Sequence, residues 1–348
     1  MNRSKHTGRT CVRNAVRHLA AVFALAVAMP ATAQSCLGDI FPNGVVNGAD
    51  LAILLGQWGQ AGSGDLNGDG IVGGADLGLL LGVWGECPPV TVPSWATLVE
   101  AAPDPAVVTN ATLRAAISAS GLAWRVRDTA TQMEMLLVPA GTFVMGGYPV
   151  HSVTLTQAFY MGRYEVTQGQ WVERMRSNPS YFQDQSGFAS RPVEQVSWNT
   201  IQGYLSATGM RLPSEAEWEY ACRAGSTTDF HSMPGYPNGT NDYTQVGTIA
   251  WYSKNSGFQT HAVGGKAANA LGLHDMSGNV WEWVNDWWGS YSSSAQTNPL
   301  GPVSGTYRVL RGGSWRYHAS DLESSSRDVS ATPNVEVNYI GFRVVRTP

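Results

Sequence analysis

Hydrophobic and polar positions change their period several times along this chain of 348 residues. Leu19 to Met29 is one unbroken apolar run. Further on, two polar stretches rich in Asp, Asn and Gly each lead into a short apolar segment, Leu51 to Trp58 and Leu77 to Trp84, each predicting a single helix. From Met133 the texture shifts. Glu134–Gly146 predicts a buried strand, a Pro-Ala-Gly-Thr turn and a second strand, and the alternation over Val153–Phe159 predicts an edge strand. Three helices follow. One opens at a Thr167/Gln170 capping box and runs through Met175. The next is capped by Ser197 and stopped by Gly209, and the third begins at a Ser214/Glu217 box. Residues 225–348 are rich in Gly, Asn and Trp, with short strands only. This is an α+β pattern with much irregular chain. Between the two textures, Pro88–Pro93 is stiff and polyproline-like, and residues 94–130 predict short helices around Trp95–Glu100 and Ala111–Ser118.

The first apolar run, about 11 residues, is shorter than the ~20 a membrane span needs. Arg3, Lys5, Arg9, Arg13 and Arg17 precede it and Ala31-Thr32-Ala33 follows as a cleavage site, so residues 1–33 are predicted to be a signal peptide. The mature chain is expected to be secreted (periplasmic, extracellular or cell-surface), with no transmembrane anchor. Taking those five basic residues from 22 leaves 17 against 26 acids, a net charge of −9. Such a balance gives no electrostatic basis for nucleic-acid binding. Charged residues make up 14% of the chain beside 39 glycines and 13 tryptophans, which points to a loop-rich fold pinned by aromatic anchors rather than a helix bundle.

The two polar stretches are copies of one unit. Asp39 and Asp65, Asp50 and Asp76, and Trp58 and Trp84 are each 26 residues apart. Each copy places oxygen donors where an EF-hand loop needs them, at positions 1, 3, 5, 7, 9 and 12, with Gly at 6. The second copy supplies Asp65, Asn67, Asp69, the Ile71 carbonyl, a water at Gly73, and Asp76. The first supplies Asp39, Asn43, the Val45 carbonyl, Asn47 and Asp50, with Phe41 unable to ligate at position 3, so it is the weaker site. Cys36 and Cys87 bracket the unit and predict a disulfide in an exported protein. With Asp rather than Glu at position 12 and one helix after each loop, residues 36–87 resemble a type I dockerin, a small all-α EF-hand-type domain. The resemblance implies calcium as cofactor and a cohesin-like or cell-surface partner. Gly48-Ala49 and Gly74-Ala75 stand where that family carries its partner-selecting pairs.

The remainder carries a second resemblance. Leu137-Val-Pro-Ala-Gly-Thr-Phe143, Glu165-Val-Thr167, Pro192-Val-Glu-Gln-Val-Ser-Trp198, Arg211-Leu-Pro-Ser-Glu-Ala-Glu-Trp-Glu-Tyr220, Gly272-Leu-His-Asp-Met-Ser-Gly-Asn-Val-Trp-Glu-Trp283, Arg311-Gly-Gly-Ser-Trp315 and Gly341-Phe-Arg343 follow one another in the order of the formylglycine-generating enzyme (sulfatase-modifying factor) family. Residues 131–348 are thereby expected to adopt its C-type-lectin-like fold, with 88–130 as linker and adaptor. The resemblance further implies a structural calcium held by Asp275, the Gly278 and Val280 carbonyls, and Glu282.

The family's chemistry, oxidation of a sulfatase cysteine, uses copper(I) between two thiolates, soft ligands that select that ion. They lie three and eight residues after the Gly-Gly-Ser serine. Here that serine is Ser314 and the two positions hold Tyr317 and Leu322, so no copper is expected. Cys222 reads as a core thiol. Trp281, Ser314, Trp315, Arg316, Tyr317, His318 and Asp321 form a candidate pocket for a peptide or glycan. His151, His231, His261 and His274 share no metal-ligand spacing. The expected function is a non-catalytic binding or scaffold protein anchored by its calcium-binding module. The alternatives are a divergent oxidase of the family acting on protein cysteines, and an accessory component of polysaccharide degradation.

Overall fold

The two sequence repeats reappear as a repeat of hydrogen bonds. Strand β1 (Val45–Val46) and helix α1 (Gly48–Gly56) form one unit, helix α2 (Gly74–Gly82) belongs to the second, and β2 (Gly85–Glu86) pairs antiparallel with β1. Asp50 accepts from the Phe41 and Asn47 N–H groups, and its mate Asp76 accepts from Asn67 and Gly73, the corresponding positions. Asp39 accepts from Gly44 as Asp65 does from Gly70. The small core is symmetric as well, with Val46 and Val72, and Leu54 and Leu80, fully buried. The Cys36–Cys87 disulfide is present. The small module is not purely helical, because β1 and β2 close its ends. The computed structural model describes residues 36–41, 44–147, 149–183, 187–328 and 331–348. The expected signal peptide and Asn43 lie outside them.

Residues 88–130, read from sequence as linker and adaptor, are instead part of the large domain. Strand β3 (Ala96–Glu100), predicted as a helix, pairs antiparallel with β4 (Arg125–Asp128), and helix α3 (Ala111–Ala119) lies between them in sequence. Strands β5 (Glu134–Val138), β6 (Gly141–Met145), β7 (His151–Leu155) and β8 (Phe159–Gly162) follow. The turn after β5 sends the chain to a different sheet, where β7 is not an edge: it lies between β6 and the later β10. Helices α4 (Gln168–Met175), α5 (Trp198–Thr208) and α6 (Glu215–Arg223) carry the predicted caps. Thr167, Ser197 and Ser214 each accept the N3 amide, and Gly209 ends α5 in the left-handed conformation that suits glycine.

After α6 the chain runs largely without regular structure to β9 (Trp281–Trp287), followed by β10 (Gln296–Thr297), β11 (Arg308–Arg311), β12 (Arg327–Asp328), β13 (Ile340–Gly341) and β14 (Val345–Arg346). The sheets have the orders β14-β8-β5-β4-β3, β10-β7-β6 and β12-β11-β9-β13. The result is a mixed α/β fold. Its core gathers Trp124, Trp171, Trp218 and Trp283, all buried, together with two fully buried arginines, Arg311 and Arg343.

A third buried arginine joins the small module to this domain. Arg114 on α3 donates to the Leu66 carbonyl (3.0 Å) in the second loop, and to Val108 (2.8 Å) and Thr109 (3.1 Å). Burial lowers its pKa, and Asp65 and Asp76 oppose that shift. Gly68 makes room for it: its φ is +76°, and a Cβ there would stand 2.7 Å from the guanidinium. Replacing Arg114 with Ala would leave these carbonyls short of a donor inside a buried contact. The expected cost is about 2–3 kcal/mol, read as a lower denaturant midpoint with faster proteolysis between residues 88 and 93.

Candidate functional site

The segment from Ser314 to Leu322 enters from β11 through Gly312 and Gly313, both at positive φ. Gly313 has a steric reason to be glycine, since a Cβ would lie 2.8 Å from the Leu322 side chain. Leu322 is completely buried with Phe230, Met233, Val246, Ile249, Ala250 and Tyr252. The second thiolate position of the enzyme family is therefore core here. Tyr317, at the first, is half-buried, edge-on to Trp281 (5.6 Å between centroids) and beside Tyr339 (5.7 Å). Burial pushes its phenol up to about 12, with Tyr339 adding to the shift. Neither position offers sulfur.

The other expected pocket residues divide into two groups. Ser314 and Trp281 are buried, and both the Ser314 Oγ and the Trp281 Nε1 lack a hydrogen-bond partner among the described residues. Trp315 is held by its Nε1–H, which donates to the Asn338 carbonyl (2.9 Å). Arg316 and His318 are exposed, and the Arg316 guanidinium lies 4.7 Å from the Tyr339 ring centroid. Asp321 accepts from the His318 backbone N–H (3.0 Å), capping the turn Ala319–Leu322. Its carboxylate thus has a structural role, and no acid/base pair with the His318 ring is formed. The surface is an aromatic ledge of Tyr317 and Tyr339, backed by the buried Trp281, that carries the exposed Arg316 and His318 side chains. Tyr339 carries no signal in the sequence, because it comes from a segment remote from the Gly-Gly-Ser motif.

The two carboxylates expected to hold a structural calcium have other partners. Both Glu282 oxygens are taken, one by Arg343 Nη2 (2.6 Å), the other by Arg343 Nε (2.7 Å) and Trp218 Nε1 (2.6 Å). Asp275 accepts from the Gly264 N–H (2.6 Å). Arg343 supplies a positive charge to Glu282, so an ion held by Asp275, the Gly278 and Val280 carbonyls and Glu282 would have to share that carboxylate with a guanidinium. A third carboxylate, Glu165, joins them, accepting from Asn279 Nδ2 (2.6 Å) and the Val280 N–H (3.1 Å). Burial, then the Asp275 and Glu282 charges, push Glu165 well above its ordinary range. In the sequence Glu165 stands out only as a motif letter.

In the second repeat loop, Asp65, Asp69 and Asp76 are turned to backbone N–H groups. Among the described residues no three His, Cys, Asp or Glu side chains stand ready around a common metal position.

Cys222 is fully buried on α6, its thiol pushed up to about 11 by burial. It is expected to resist a thiol reagent at pH 8 in the native protein and to react once the chain is unfolded in denaturant; rapid labelling without denaturant would contradict its burial. Burial also raises Glu194 and Asp286 to about 7 each. The folded state therefore holds protons on these groups where the unfolded chain has released them, so stability is lost as pH rises from about 4 to about 7. The thermal midpoint is expected to fall over that window by several degrees, at roughly 2–4 °C per kcal/mol, and the double variant Glu194→Gln/Asp286→Asn is expected to flatten the curve.

Known proteins place this geometry. The sulfatase-modifying factor enzyme 1-like domain matches residues 108–348. The serine/threonine-protein kinase pkn1 of Chlamydia caviae is 35% identical over 247 residues, covering 61% of this chain and 38% of that protein. The formylglycine-generating enzyme of Mus musculus is 37% identical over 169 residues, covering 44% of each. The chain thus spans about two-fifths of the length of these curated relatives. Among solved structures, Treponema denticola variable protein 1 matches with a TM-score of 0.56 and 29% identity, covering 62% of this chain and 95% of that one. With its motifs in order from Leu137 to Arg343 and its domain matched from residue 108 to the last residue, this chain belongs to the sulfatase-modifying factor enzyme 1-like family.

Proposed function

We propose that this protein is a non-catalytic member of its family, a secreted binding or scaffold protein whose ligand docks on the 314–321 ledge. The observation that carries this reading is the fate of the two thiolate positions: one is filled by Leu322 inside a closed apolar cluster, the other by Tyr317 packed on Trp281. A copper(I) site needs two soft donors that this chain does not place there. The exposed Arg316 and His318 beside Tyr317 and Tyr339 suit a peptide or glycan, which aromatic faces and charged donors grip together.

Residues 36–87 would act as a dockerin-like anchor that takes calcium. Its loops present hard oxygen donors, and the shared bonding of Asp50 and Asp76 supports two loops built to one plan. Entry of the ion would turn Asp65, Asp69 and Asp76 away from the backbone amides they now accept from. Leu55 and Trp58, with their repeat mates Leu81 and Trp84, are exposed and would form the docking face for a cohesin-like or cell-surface partner. Among the described residues no helix is long and apolar enough to cross a membrane.

Calorimetric titration of the mature chain is expected to show calcium binding, with the tighter event abolished by Asp65→Ala/Asp69→Ala; an unchanged stoichiometry in that variant would rule out the second loop. On peptide and glycan arrays, capture is expected to be lost in Arg316→Ala/Tyr317→Ala. Capture that persists in this variant would move the binding surface elsewhere.

A further inference from the structure

A second, separate site is formed where α6, β7, β9 and β12 meet. A cavity of about 260 Å³ lies there, bounded by His151, Glu215, Asp286, Trp287, Tyr291 and Arg327 among others. None of residues 314–321 lines it, so this cavity and the ledge stand or fall separately.

Two of its polar groups are unfinished. Asp286 is 3% exposed; one oxygen accepts from the Glu215 N–H (2.8 Å), and the other has no partner among the described residues. His151 is 6% exposed, its ring 5.0 Å from that of Tyr291, and its Nδ1 has no partner among the described residues. A buried polar atom left unpaired costs about 1–3 kcal/mol, so His151 Nδ1 is a position where a ligand atom is rewarded, and the second Asp286 oxygen offers an acceptor in the same cavity. Glu215, by contrast, is already satisfied by the Tyr291 hydroxyl (2.8 Å) and Arg327 (2.7 Å).

Charge narrows the ligand. Arg327 pairs with Glu215, Arg311 and Arg223 pair with Glu219, and Asp286 lies within the field of Arg327. Of the charged groups at the cavity itself, Arg327 answers Glu215, and Arg308, whose guanidinium lies on the Trp287 ring, faces Asp286. Two guanidinium groups thus stand against two carboxylates, which leaves little for an ionic ligand to neutralise. A divalent cation would meet Arg327 in the wall. An uncharged group fits, one able to donate to Asp286 and either donate to or accept from His151, which describes a hydroxyl. The Trp287 and Tyr291 side chains line the cavity and supply apolar surface beside these polar groups, as the carbon skeleton of a sugar requires. The volume falls below the roughly 300–1,000 Å³ of drug-sized sites, which limits the ligand to a single ring.

We infer that this cavity binds a small neutral polyhydroxylated ligand of monosaccharide size. The test is saturation-transfer NMR and calorimetry on the full mature chain with D-glucose, D-galactose, D-mannose, N-acetyl-D-glucosamine and myo-inositol, with ethanolamine and acetate as charged controls. At least one neutral probe is expected to bind. Its affinity should drop about tenfold or more in His151→Ala, and also in Leu300→Trp, which plugs the cavity from an exposed position and leaves the core intact. Failure of every neutral probe, binding that survives both variants, or binding of a charged control alone would each overturn the assignment.

Discussion

The fold depends on buried guanidinium groups that hold irregular chain in place. Arg343 is fully buried; besides its two bonds to Glu282 it donates to the Gly162 carbonyl (3.2 Å) and the His274 carbonyl (2.9 Å). One side chain thus ties the last motif of the sequence to β8, to the loop before β9 and to β9 itself. Arg311 does the same on the other side of Trp218. It bonds Glu219 on α6 and the carbonyls of Ser324, Ser325 and Ser326. A long stretch with few strands and, among the described residues, no α-helix has many carbonyls that secondary structure does not satisfy. Two five-donor side chains satisfy several of them at once. A buried ion pair gives little net stability over an apolar pair, but losing one partner strands the other charge at about 3–5 kcal/mol. Here the pairs set the geometry of the loops they bond.

That framework is independent of the chemistry its family is known for. Arg311 bonds the carbonyls of Ser324, Ser325 and Ser326, just beyond the Ser314–Leu322 segment, and none of these bonds involves positions 317 or 322. Leu322 then turns a reactive position into packing, closing the cluster around Phe230 and Val246, and Gly313 permits the close approach.

The features legible in the sequence are local ones. The caps at Thr167, Ser197, Ser214 and Gly209 can be read because a helix end is decided by three or four neighbouring residues. The Cys36–Cys87 pair and the 26-residue repeat can be read because spacing carries them. Ala96–Glu100 reads wrongly as a helix because its strand partner, Arg125–Asp128, lies beyond a whole intervening helix. The partner of Glu282 is hidden for the same reason, since Arg343, which bonds that carboxylate, lies 61 residues away. His151 and Asp286 meet in a cavity that no stretch of sequence announces.

The central claim is that the thiolate site has been replaced by packing. Its most direct test is a competitive copper(I) titration of the mature protein, paired with an oxygen-dependent assay on a cysteine-containing sulfatase-type peptide. The account predicts no stoichiometric copper uptake and no conversion of the peptide cysteine. Stoichiometric uptake with oxygen-dependent conversion would contradict it, and would mean that the loop carrying Tyr317 and His318 supports oxidation without a pair of thiolates.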